Sequence, residues 1–174
     1  MMQTSTFHHR MDSPLGVLTL VLQAQSLIGV YFSRHRHAPP VSSFGAQVRE
    51  DDLADHPVLG MTREQLGEYF AGQRREFTVP TAPHGTAFQH RVWAALREIA
   101  FGDTASYAQI AAAIGAPGAA RAVGLANGRN PISIIVPCHR VIASTGALTG
   151  YGGGTAHKQS LLDLEASASG ASLW

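Results

Sequence analysis

Cys138 is the only cysteine among 174 residues, so no disulfide within the chain can staple the fold. Closure must come from a hydrophobic core, and an apolar content of 45% supplies one. The lone thiol cannot belong to a multi-cysteine metal site either. Its position is informative. The apolar run Ile134-Ile135-Val136 leads to Pro137, then Cys138, and His139 follows at once. A single cysteine is ordinarily a small buried core residue. One presented by a proline beside a histidine is a candidate nucleophile. A free thiol also suits a reducing compartment, so a cytoplasmic location is expected.

The length fits one ordinary domain, or one domain with a small companion. A net charge of +1 does not by itself announce a nucleic-acid partner. Residues 1–83 carry seven arginines against eight acids, whereas 84–174 carry five arginines and Lys158 against four acids. Any basic footprint must therefore be local. No run of about twenty apolar residues exists, so no membrane span is expected. The polar start, residues 1–10, lacks the apolar segment of a secretion signal. His8-His9 and His35-x-His37 read as exposed loop histidines, and no metal or cofactor is expected.

The pattern predicts an α+β chain of two domains, 1–83 and 84–174. The first is a small antiparallel sheet with a helix. Ser13-Pro14-Leu15-Gly16 is a turn signal, with strands over 17–22 and 27–32 after it. A loop over 34–55 precedes a helix over 62–71, with Thr62 and Gln65 as its capping box and Gly72 as its stop. A strand over 77–79 and a linker over 80–85 complete the domain. The second is mostly helical. Thr86 and Gln89 form a capping box, and Phe88, Val92, Leu96 and Ile99 form a core stripe beside Trp93. Ser106 and Gln109 cap a helix over 107–114. After the turn Ala116-Pro117-Gly118, a second short helix covers 119–127, and the pair reads as a helix-turn-helix. A short strand over 132–136 delivers Cys138. A glycine-rich loop over 148–154 lacks the lysine spacing of a nucleotide loop, and a last helix covers 156–168.

The second helix of that pair is small-sided: Ala119, Ala120, Ala122 and Gly124 surround Arg121. A base-reading helix normally carries several Arg, Asn or Gln side chains. Small residues instead let a backbone approach a groove and its phosphates closely. They serve equally well for tight packing against another helix, and spacing alone leaves both open.

Pro137-Cys138-His139-Arg140-Val141-Ile142 resembles the active-site signature of the O-6-alkylguanine-DNA alkyltransferases, the methylated-DNA–protein-cysteine methyltransferases. Phe88-Gln89-x-x-Val92-Trp93, Ser106-Tyr107, Ala119 to Gly124, Asn130-Pro131 and Tyr151-x-Gly153-Gly154 follow that family's order and spacing. The likeness covers roughly 86–165; the first 80 residues match only as a small sheet with a helix. It implies a ribonuclease H-like first domain and a second domain for DNA binding and chemistry. The implied reaction is DNA repair in a single turnover. A methyl or alkyl group passes irreversibly from the 6-oxygen of guanine, and more weakly from the 4-oxygen of thymine, to Cys138. By the same resemblance His139 takes the thiol proton through a water and Glu165 orients His139. Arg121 enters the duplex from the minor groove, Tyr107 turns the nucleotide out, and Asn130 is a hinge. Val141, Tyr151, Gly152 and Gly153 receive the flipped base, with Ser133 and Thr149 lining the pocket. The implied partner is double-stranded DNA carrying an alkylated guanine, bound by a monomer; whether monomers cluster side by side on DNA is left open.

Departures from the family pattern carry expectations of their own. With no second cysteine, neither a structural zinc site nor methylation-triggered gene control is expected. Ser133 and Thr149 replace proline and glycine of the vertebrate relatives, which suggests a narrower pocket that favours methyl over benzyl adducts. Two other functions compete: a lesion-binding protein without chemistry, and a cysteine hydrolase built on Cys138, His139 and Glu165.

Overall fold

In the computed structural model, residues 4–170 are described. The first three residues of the polar N-terminal run, and residues 171–174, lie outside them. The chain begins with a four-stranded sheet of order β3-β2-β1-β4. Strands β1 (Thr6–Met11), β2 (Leu18–Gln23) and β3 (Ser26–Phe32) are antiparallel, and the two-residue β4 (Ala46–Gln47) adds a parallel edge. The β2–β3 hairpin falls where the alternating apolar residues put it. Strand β1 was not expected. Its polar string Thr-Phe-His-His-Arg hides the alternation, yet His8 and His9 are 8% and 3% exposed rather than loop residues. His9 Nδ1 bonds the Val48 carbonyl at 2.9 Å, which accounts for its burial.

Helix α1 (Pro57–Phe70) starts five residues earlier than the capping signal suggested, with proline in its first turn. Thr62 is inside it and donates to the Val58 carbonyl at 2.6 Å, and Gln65 bonds Thr78 instead of closing a cap. Gly72 does take the left-handed conformation that ends the helix (φ 74°). No strand forms over 77–79. The segment after it is held to the sheet, since Leu27 donates to the Pro80 carbonyl and Ala82 to the Leu27 carbonyl, each at 2.9 Å.

Helices α2 (Ala87–Arg97) and α3 (Tyr107–Ala113) both carry complete capping boxes, from Thr86/Gln89 and Ser106/Gln109. Helix α4 (Ala120–Gly128) packs on both. The stripe Val92, Leu96 and Ile99 is buried, and Trp93 donates its indole N–H to the Ala126 carbonyl of α4 at 2.9 Å. Strand β5 (Ala105–Ser106) pairs in parallel with β6 (Val141–Ile142), and α5 (Thr155–Ala168) closes the chain. One core runs through both halves, from Leu20 and Val30 of the sheet to Val92, Val123 and Leu161. Among the described residues no helix is long and apolar enough to cross a membrane, and no cluster of three metal-ligating side chains forms.

Candidate active site

The segment that delivers Cys138 is a coil of turns, not a strand. Only Ile132 pairs, through an isolated bridge to Val30. Val30 donates to the Pro131 carbonyl at 2.9 Å; beyond it Ile135 donates to Ser133 and Val136 to Ile132, at 2.8 and 3.0 Å. Ile134 holds φ 72°, a conformation rare for a β-branched side chain. A short apolar run marks burial, and its periodicity cannot distinguish a strand from a buried turn. Cys138–Arg140 then forms one 3-10 turn. Cys138 and His139 therefore do not sit on an extended chain, where adjacent side chains would point to opposite sides.

Asn130 organises this coil. Its carboxamide oxygen accepts from the Ile132 N–H at 3.0 Å, and its nitrogen reaches the Val136 carbonyl at 2.9 Å. The same nitrogen lies 3.0 Å from Cys138 Sγ and donates to it. Cys138 is 2% exposed. Burial pushes its thiol up to about 11, against the pull of the Asn130 hydrogen bond and the Lys158 ammonium. The resting group is thus a thiol, not a standing thiolate, and a nucleophile at this position needs a base when it reacts.

His139 and Glu165 are both fully buried, and His139 Nε2 lies 2.7 Å from Glu165 Oε1. A carboxylate only accepts, so Nε2 carries the proton and Nδ1 is left basic. Nδ1 is buried and has no protein hydrogen-bond partner among the described residues. Burial holds the imidazole below its ordinary range, with Glu165 pulling the other way. Arg140 clamps the carboxylate, Nε to Oε2 at 2.9 Å and Nη2 to Oε1 at 3.0 Å, and also donates to the Ile99 carbonyl. Tyr69 donates to Oε1 at 2.8 Å and the Gly102 N–H to Oε2 at 3.1 Å. Burial alone would raise the Glu165 carboxyl; the hydrogen bonds and charges of His139 and Arg140 outweigh it and hold it at about 2. Glu165 is therefore no exposed helix acid. The sequence alone assigns no role to Tyr69, Arg140 or Lys158. Arg140 stood inside the cysteine motif and offered a signal; Tyr69 lies 96 positions from its partner and offered none.

Lys158 is also fully buried. It donates to the carbonyls of Val141 and Thr149, the latter at 2.8 Å, and so ties β6 to the glycine-rich loop. Burial lowers its ammonium to about 8. Tyr107, half-buried at the head of α3, donates to the Thr149 carbonyl at 2.8 Å. Tyr151, Gly152 and Gly153 are buried, as is Ser133, whereas Thr149 is exposed. A Cβ on Gly153 would sit 2.5 Å from the Phe32 ring, and one on Gly152 would sit 2.7 Å from His35, so the sheet backs this loop directly. On α4, Arg121 and Ala122 are exposed in the first turn; Ala119, Ala120 and Gly124 are half-buried. Val123 and Ala126 pack inward, and the face carrying Arg121 and Ala122 is open.

The family model described as 6-O-methylguanine DNA methyltransferase, DNA binding domain, matches residues 87–167. The one described as its ribonuclease-like domain matches residues 6–83. The chain is 48% identical over 166 residues to a methylated-DNA–protein-cysteine methyltransferase of Mycolicibacterium paratuberculosis, covering 95% of this chain and 96% of that one. It is 42% identical over 155 residues to the constitutive enzyme of that name from Bacillus subtilis, covering 88% and 92%. The crystal structure of Mycobacterium tuberculosis OGT in complex with DNA superposes with a TM-score of 0.82 at 46% identity, over 93% of this chain and 94% of that one.

Proposed function

The chain belongs to the 6-O-methylguanine DNA methyltransferase family, and on that premise we propose that it repairs DNA by moving alkyl groups onto the sulfur of Cys138. The observation that carries this is two buried hydrogen-bonded pairs, Asn130 with Cys138 and His139 with Glu165, adjacent in the chain and set behind a helix-turn-helix with an open small-sided face. Residues 84–174 carry the DNA contact and the chemistry, and residues 1–83 form the supporting domain.

The duplex lies against α4, where Ala119, Ala120, Ala122 and Gly124 let backbone approach the minor groove. Arg121 fills the space of an extruded guanine, and Tyr107 crowds the backbone beside it. The base enters the pocket between Val141 and the loop over 149–153, with Ser133 behind it. Cys138 gives its proton, by way of a water, to Nδ1 of His139, and Glu165 stabilises the imidazolium that forms. The sulfur then forms a bond to the alkyl carbon as the carbon–oxygen bond breaks. The purine leaves with the electron pair and takes a proton from Tyr107, which regains one from water as the His139 imidazolium releases to water the proton it took from Cys138. The thioether is stable, so each molecule acts once. Thymine alkylated at the 4-oxygen presents the same acceptor carbon less favourably placed.

Incubation with a duplex carrying one O-6-methylguanine, followed by peptide mass analysis, tests this. One methyl mass on the peptide holding Cys138 is expected, with Cys138→Ala losing transfer but keeping DNA affinity. A lesion that persists while the protein gains no mass would overturn the proposal. Lesion loss over many turnovers would point to hydrolysis instead.

A further inference from the structure

Glu165 accepts from a residue that belongs to the other half of the molecule. Tyr69 sits in the last turn of α1, fully buried, and its phenol donates to Oε1, the oxygen that also accepts from His139. Its ring is fixed by edge contact with Phe70 and Phe101 and by Phe77. The hydroxyl therefore has one place to go. We infer that Tyr69 is a positioning residue that sets how strongly Glu165 draws on His139, and so links the supporting domain to the proton relay of Cys138. This rests on the relay proposed above and goes beyond it.

Each hydrogen bond donated to a carboxylate oxygen draws off electron density that the oxygen could offer another donor. Oε1 is shared among Tyr69, His139 and Arg140 Nη2. The groups facing this oxygen and the imidazole come from every side. They are Tyr69 from α1, Arg140 and Cys138 from the 3-10 turn, Tyr151 from the loop, and Lys158 from α5. Of these, only Tyr69 is a neutral donor to the shared oxygen, and burial with Glu165 beside it keeps the phenol protonated. Removing that hydroxyl leaves Oε1 with two donors, so no polar atom is stranded. It makes the carboxylate a better partner for an imidazolium and makes His139 easier to protonate. The acid-side midpoint of the coupled Cys138–His139 pair must then move to higher pH. A stronger phenol donor must move it the other way.

The experiment follows the pH dependence of Cys138 alkylation in the full chain, using two probes: iodoacetamide and a duplex carrying O-6-methylguanine. Cys138 is the only cysteine, so the adduct is unambiguous. Tyr69→Phe is expected to raise the acid-side midpoint by about half a unit to one unit. Placing 3,5-difluorotyrosine at position 69 alone, which keeps the hydroxyl and strengthens it as a donor, is expected to lower the midpoint. Opposite shifts of the two variants support the inference. Midpoints equal to wild type in both overturn it and leave Tyr69 a packing residue. If Tyr69→Phe does not fold, the fluorinated protein decides alone by the same criterion. A wild-type chain that reacts with iodoacetamide but not with the duplex would count against the proposed repair activity. It would leave the Tyr69 test intact.

Discussion

At the scale of single residues, the site is governed by one buried carboxylate. Glu165 balances Arg140, and removing its charge leaves a guanidinium without its counter-ion in the core. Breaking a buried pair in this way costs about 3–5 kcal/mol. Glu165→Gln is therefore expected to lose stability of that order in urea unfolding at neutral pH, and to lose alkyl transfer with it. The pH dependence has a defined sign. With the folded carboxyl at about 2 and the unfolded one at about 4.3, its contribution is present above the unfolded value. It is lost as pH falls through about 2. Acid titration of stability should show this slope in the wild type and lack it in Glu165→Gln. The candidate nucleophile Cys138 and the histidine after it stood out in the sequence because their neighbours form a contiguous motif. The hydrogen bonds of Tyr69 and Lys158 did not, because their acceptors are a side chain 96 positions away and two backbone carbonyls that no motif marks.

At the scale of elements, local chemistry was readable where it was self-contained. The caps of α2 and α3 are side chain to backbone contacts three residues apart, and both form as their sequence states. The same spacing at Thr62 and Gln65 misled, because a threonine inside a helix can bond back to the carbonyl four residues earlier. The turn over 131–137 escaped for the converse reason. Its shape is set by Val30 and Asn130, which the run itself does not contain. Ser106 gives the element-scale prediction. Ser106→Ala removes the acceptor for the Gln109 N–H at the end of α3 that positions Tyr107. A loss of about 1 kcal/mol is expected in denaturant unfolding. A lower affinity for duplex should accompany it in a titration by fluorescence anisotropy.

At the scale of the whole molecule, the sheet forms the rear wall of the loop proposed to hold the base. Phe32 of β3 lies 4.5 Å from the His157 ring, centroid to centroid, and meets Tyr151 edge-on at 6.0 Å. Phe32→Ala is expected to cost about 3–5 kcal/mol through the cavity it leaves. It should also slow single-turnover transfer several-fold while changing DNA affinity little, since α4 is untouched. A rate equal to wild type would separate the sheet from the pocket. The continuity of the core explains why the two-domain pattern in the sequence says little about how the halves cooperate: contacts such as Val30 with Pro131 join residues a hundred positions apart. The indole of Trp93 offers a way to watch that cooperation. It is shielded from solvent and tethered to the last turns of α4. In a Trp174→Phe chain, which leaves it the single tryptophan, its ultraviolet emission should therefore act as a built-in gauge of that helix, changing colour or brightness when a duplex seats, with no dye attached.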